Sequence, residues 1–172
     1  MSKFIDSITP NHLKDKVYGI FRKHGIKLKQ LYESPDSGEF ESRRFHPMVV
    51  QHAKSLFQKG EYFHAAFEAA KAFNSEVKDK SGLQEDGVSL MNKAFLRDKP
   101  VLHITPCRTE TEKNIQDGYR FLAAGLMAAI RNPTAHEPAL SMLMGRQEAL
   151  EILGLILYLF RQLEKAYTSI RS

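Results

Sequence analysis

Apolar positions recur along most of this chain with a helical period, and polar breaks divide them into segments. Residues 11–24 place Leu13, Val17, Ile20, Phe21 and His24 on one stripe, with lysines mostly opposite, which predicts an amphipathic helix ending near Gly25. Residues 33–45 combine Pro35, Asp36 and Gly38 with little periodicity and read as a loop or linker. Proline's fixed φ and missing N–H suit a first helical position, so a long helix should start near Pro47 and run toward Gly82, broken or bent at Gly60. Its apolar side carries Phe57, Phe63, Phe67 and Phe73 among Ala65, Ala69 and Ala72, small enough for close helix packing.

"DGVSLMNKAF" predicts a shorter helix after an Asp86-Gly87 turn, and "DKPVLHITP" an extended connector with a short strand near 101–105. Thr109 and Glu112 have the spacing of a capping box, so the next helix starts there, buries Ile115, Tyr119, Leu122, Leu126, Ala129 and Ile130, and stops at Pro133. A last helix over 141–170 turns Leu143, Leu150, Leu153, Leu157, Phe160 and Leu163 inward and Arg161, Glu164 and Lys165 outward. The expected architecture is an all-α bundle of four or five helices, in residues 46–172, preceded by a basic helix and linker in 1–45.

Charge sharpens that division. Residues 1–32 hold seven basic and two acidic side chains, while the remainder is formally neutral. Such asymmetry fits attraction to a polyanion such as RNA; the competing reading is a solvated helix face. Cys107 is the lone cysteine, which excludes an internal disulfide and suits a reducing, cytoplasmic setting. No apolar signal region opens the chain, and the longest greasy run, 149–160, is interrupted by Glu151 and falls short of the roughly 20 residues of a membrane span.

"AAIRNPTAHE" is the stretch with candidate chemistry. An arginine and a histidine at this spacing arise about 0.4 times by chance in this composition, and about 0.01 times with asparagine required after the arginine. Arg97 and His103 fit a looser spacing but lie on the proline-bounded connector. In an unbroken helix, side chains five apart diverge by about 140° and 7.5 Å. Pro133 breaks the helix and pushes Asn132 off helical dihedrals, so Arg131 and His136 can converge. His136 is expected near the start of the final helix, whose dipole keeps an imidazole neutral, while Arg131 offers a planar fork to phosphate. The competing reading is a helix terminus with a capping arginine and histidine.

These residues, in "RNPTAH", resemble the HEPN superfamily of small helical bundles, and residues 46–170 resemble its Ymh branch of conserved bacterial and archaeal proteins. The resemblance implies a homodimer whose two arginine–histidine motifs share one cleft, and metal-independent RNA cleavage in toxin, abortive-infection or phage-defence roles with an antitoxin or defence partner. It implies Arg131, Asn132 and His136 as the catalytic set: His136 deprotonates a ribose 2′-OH, a histidine of the second subunit protonates the leaving oxygen, and Arg131 stabilises the phosphorane. Non-catalytic members that bind RNA, a nucleotide or a protein partner are the alternative it leaves open. Members modified by a nucleotidyltransferase carry tyrosine two residues after the histidine; Pro138 stands there.

His64, Glu68 and Lys71 share a helical stripe and form a second candidate set, with Glu68 able to orient Arg131 or His136 if buried; an exposed salt-bridged face is the alternative. His64 and Glu68 lack a third ligand at suitable spacing, so no metal or cofactor is expected. No Gly-rich phosphate loop, acyl-transfer triad or paired catalytic carboxylates are recognisable.

Overall fold

The computed structural model describes residues 37–132 and 144–168. The chain divides into two compact units, Met1–Glu39 and Phe40–Ser172. The basic helix expected over 11–24, like His136 and Pro133, lies outside the described residues.

Six α-helices occur among them: α1 (Ser37–Ser42), α2 (Pro47–Gln58), α3 (Tyr62–Ser81), α4 (Gly87–Ala94), α5 (Glu110–Leu126) and α6 (Arg146–Lys165). Strands β1 (Leu102–His103) and β2 (Tyr167–Thr168) pair antiparallel, Leu102 opposite Thr168. The all-α expectation and the short strand both hold.

Helix α3 is the central element, packed against α2, α4 and α6. Its alanines make this possible: Ala65, Ala66, Ala69 and Ala70 are fully buried, and the absence of longer side chains lets neighbouring backbones approach. Phe73 and Val77 continue the buried stripe and Phe160 of α6 meets Phe73 edge-to-face at 5.3 Å. The break at Gly60 is a full one: α2 ends at Gln58, Gly60 takes φ +80°, and α3 starts at Tyr62. Gly82 closes α3 in the left-handed conformation that favours glycine.

His46 opens α2. Its Nδ1 accepts the Met48 N–H at 3.2 Å, so Nε2 carries the proton it donates to Glu164 at 3.0 Å, and the ring stacks on Phe160 at 4.5 Å. The fully buried Gln116 of α5 accepts the Ile104 N–H at 2.8 Å and donates to the Leu102 carbonyl at 3.0 Å, which fastens the connector to the bundle.

The capping box is present in both directions: Thr109 Oγ1 accepts the Glu112 N–H at 3.2 Å and Glu112 accepts the Thr109 N–H at 3.2 Å. Thr109→Ala removes one of these bonds and should lower unfolding free energy by about 1 kcal/mol, read from a shifted denaturant midpoint at constant slope.

Five expectations need correction. Asn132, expected off helical dihedrals ahead of Pro133, keeps φ −79° and ψ −33° in the right-handed helical region, because its N–H still closes the last turn on Met127 O. The stretch 33–45 is not all loop: Ser37–Ser42 is helical, and Phe40 and Phe45 are buried, because two aromatics spaced across a turn can plug the core without a long period. Helix α6 starts at Arg146 after Gly145 and ends at Lys165, since Ala166 is extended and the chain enters β2. Helix α5 buries only part of the expected face: Tyr119 and Leu126 are covered as expected, and Ile130 partly. Gln116, Tyr119, Ala123 and Leu126 face inward, while Ile115, Leu122 and Ala129 are exposed; apolar residues lie on more than one side and packing selected another. Finally, the helix reaching Asn132 is not α-helical throughout: Met127–Arg131 is a π-helix, with the Asn132 N–H bonding Met127 O at 2.9 Å.

Candidate functional site

The π-helix decides where the motif points. Taking the carbonyl five residues back instead of four widens the turn and rotates each following side chain relative to an α-helix. Pro133 has no N–H with which to continue the ladder, and among the described residues Arg131 and Asn132 stand at its last paired turn. π-turns are rare and frequently occur at functional sites.

Arg131 Nη2 donates to Asp86 Oδ2. Asp86 is held in turn by Asn74 of α3, whose Nδ2 donates to Asp86 Oδ1 at 2.6 Å and whose Oδ1 accepts the Gly87 N–H at 2.9 Å. One side of Asn74 thus faces a backbone donor and the other a carboxylate, which fixes its amide orientation. Asn74 is buried, and its amide, with a donor on one side and an acceptor on the other, satisfies both neighbours at once. Partial burial pushes the Asp86 carboxyl up, but the hydrogen bonds from Asn74 and Arg131, with the arginine's charge, outweigh it and hold the group below its ordinary value. Asp86 is therefore ionised at neutral pH, and the pair is lost only as pH falls through that depressed value.

Gly87 completes the corner. Its φ is +55°, and a Cβ placed on it would lie 3.3 Å from Arg131 Nη1 and 3.4 Å from Asn132 Oδ1. Both motif side chains thus converge on one residue at the start of α4. A side chain there would be strained by its dihedral and would crowd the guanidinium. The helix N-terminus beside the motif is that of α4; the final helix, expected to supply it, begins only at Arg146.

The second candidate set is elsewhere. Glu68 accepts from Lys71 Nζ at 3.0 Å in a half-exposed i,i+3 pair, and His64 is exposed. Six residues separate Glu68 from Asn74, which places them about 120° apart around α3. Glu68 and Lys71 line a groove with Met48, His52, Ser75 and Asp79 on the α2 side, and the carboxylate on Arg131 is Asp86. The stripe of Glu68 and Lys71 faces α2, whereas the acid that accepts from Arg131 is Asp86; His136 lies outside the described residues.

Asp86, Asn74 and Gly87 were missed in the sequence. Asn74 left a trace: asparagine favours caps and turns and is a poor choice in the middle of an alanine-rich helix unless its amide has partners. Asp86-Gly87 read only as a turn.

An apolar groove of about 380 Å³ is lined by Phe121, Leu122, Gly125, Ala129 and Ile152, among others, and by Ile130, which directly precedes Arg131 in the chain. Phe121 is 60% exposed and Leu122 44%. No helix among the described residues is long and apolar enough to cross a membrane.

Fold and site together define an all-α bundle whose central helix and α4 anchor an arginine–asparagine corner at the end of a π-turn. The sequence profile of a family described as "Protein of unknown function (Hypoth_ymh)" matches residues 43–163, most of the chain, and the protein belongs to that family. No curated protein and no solved structure matches it.

Proposed function

We propose that this protein is a HEPN-type, metal-independent endoribonuclease of toxin or defence systems, acting as a homodimer on RNA through Arg131, Asn132 and His136. The observation that carries the reading is the π-turn that delivers Arg131 and Asn132 side by side onto Gly87, with the guanidinium oriented by a carboxylate. A planar, oriented fork suits the phosphate of an RNA linkage. His136 is the general base for the 2′-OH, and the partner subunit's copy of that histidine is the acid for the leaving 5′ oxygen. Attack of the 2′ oxygen on phosphorus expels the 5′ oxygen, giving a 2′,3′-cyclic phosphate and a 5′-OH.

The apolar groove supports the dimer. It contains Ala129 and Ile130, immediately before Arg131, so a second copy seated on it would bring its own motif close to the first. Exposed apolar patches of this kind mark interaction sites.

The test is single-stranded RNA incubated with the protein in EDTA. Cleavage with cyclic-phosphate ends is expected from a dimer sedimenting at twice 19.6 kDa, and Phe121→Glu should yield an inactive monomer. RNA binding without any turnover would instead favour a non-catalytic module that uses the same groups for anion recognition.

A further inference from the structure

We infer that Asp86 is a positioning residue for Arg131, committed to the arginine at the expense of its own helix; the inference rests on the ribonuclease reading for its consequence. Asp86 is the N-cap of α4, a place where aspartate ordinarily turns its carboxylate back to accept an N–H of the first helical turn. Here it makes no such bond. Both carboxylate oxygens are engaged outside the first turn, Oδ1 by Asn74 and Oδ2 by Arg131, and the adjacent Gly87 N–H exerts only the weakest pull on the group. The Gly87 N–H is taken by Asn74 Oδ1 from another helix.

A structural explanation accounts for only part of this arrangement. An N-cap bond stabilises its helix directly. The Asp86 and Arg131 side chains are 47% and 31% exposed, and an ion pair that open to solvent adds little. The bond to the buried Asn74 amide is the structural share of this arrangement, and the second oxygen, on Arg131, adds little stability of its own. It does fix the guanidinium. Asn74 is buried and hydrogen-bonded twice to the turn, Gly87 admits Arg131 Nη1 against its backbone, and the π-turn sets where the arginine's Cα lies. Three elements, α3, α4 and the π-helix, thereby converge on one rotamer. Orientation of this kind is what a phosphate-binding arginine needs, because misplacement by about 1 Å can cost about 100-fold in rate.

Asp86→Ser separates the two roles, since serine is a good N-cap and carries no charge. The arginine is followed by its Nε–H resonance in ¹⁵N spectra, assigned by its loss in Arg131→Lys. In Asp86→Ser, which also takes an acceptor from the buried Asn74 amide and so lowers the thermal midpoint, the protein should remain folded at the temperature of measurement while the Arg131 resonance broadens or shifts toward that of a solvent-averaged guanidinium. On a labelled single-stranded oligoribonucleotide, kcat/KM should fall about 10- to 100-fold, with Asp86→Asn, which keeps one acceptor, falling less. An unchanged Arg131 resonance in Asp86→Ser overturns the proposal. So does a released resonance with RNA binding and cleavage unaltered, which would make the contact merely structural. If wild-type protein neither binds nor cuts the RNA, the ribonuclease reading fails on its own, and the guanidinium resonance still decides whether Asp86 holds Arg131.

Discussion

RNA cleavage in EDTA should fall by about 10²- to 10⁴-fold in His136→Ala and by about 10²- to 10³-fold in Arg131→Ala. In the mechanism proposed above, the two losses have different origins. Without the imidazole no group takes the 2′-OH proton, and the attacking oxygen stays a poor nucleophile near neutral pH. Without the guanidinium the attack still occurs, but the charge gathering on the phosphorus oxygens meets no oriented donor. Single-turnover rates with saturating protein should therefore drop in both, while substrate binding weakens mainly in Arg131→Ala. Because the two groups act on one transition state, the double variant should lose far less than the product of the single losses. Circular dichroism should leave both variants folded: the ion pair of Arg131 with Asp86 is half-exposed and contributes little to stability. Wild-type cleavage rates in His136→Ala would remove that histidine from the mechanism.

The largest effect on stability should come from Phe160→Ala, at about 3–5 kcal/mol and a thermal midpoint lower by on the order of 10 °C. Phe160 is 1% exposed and sits where three elements meet. Its ring receives the edge of Phe73 from α3 and the face of His46 at the start of α2. Truncation leaves a cavity that the close-packed alanine face of α3 cannot collapse to fill, and frees the imidazole that caps α2. The matched control is Phe121→Ala, where an equal side chain stands 60% exposed and the cost should be within about 0.5 kcal/mol in a monomer. Denaturant titration of both variants reads the contrast. Equal losses would mean that the ring at Phe121 is as buried in solution as that at Phe160.

Local chemistry carried much of the fold into view. Pro47, Gly60, Gly82 and the Thr109–Glu112 box mark helix ends through their own φ angles and N–H groups, so each could be read from neighbours in the chain. Arg131 and Asn132 were legible as a pair for the same reason, being tied to a proline that follows at once. Their surroundings were not. Glu68 lay on a plausible stripe, but the choice between Glu68 and Asp86 as the arginine's partner depends on which side of α3 meets α4, a matter of packing between segments. The apolar residues of α5 were only a partial guide for the same reason: Ile115, Leu122 and Tyr119 are comparably hydrophobic, and only the neighbouring helices determine which of them is covered.

The sequence by itself determined that this chain makes helices, where most of them start and stop, and that an arginine and an asparagine share a helix end. Those outcomes follow from dihedral limits, caps and periodicity, all of which act within a few residues. Tertiary structure alone decided that the end is a π-turn, that a buried Asn74 holds Asp86 on Arg131, and that Gly87 receives both motif side chains. Asn74 and Arg131 are far apart in the chain, and only the docking of α3, α4 and the π-helix supplies the distances over which hydrogen bonds and charge can act.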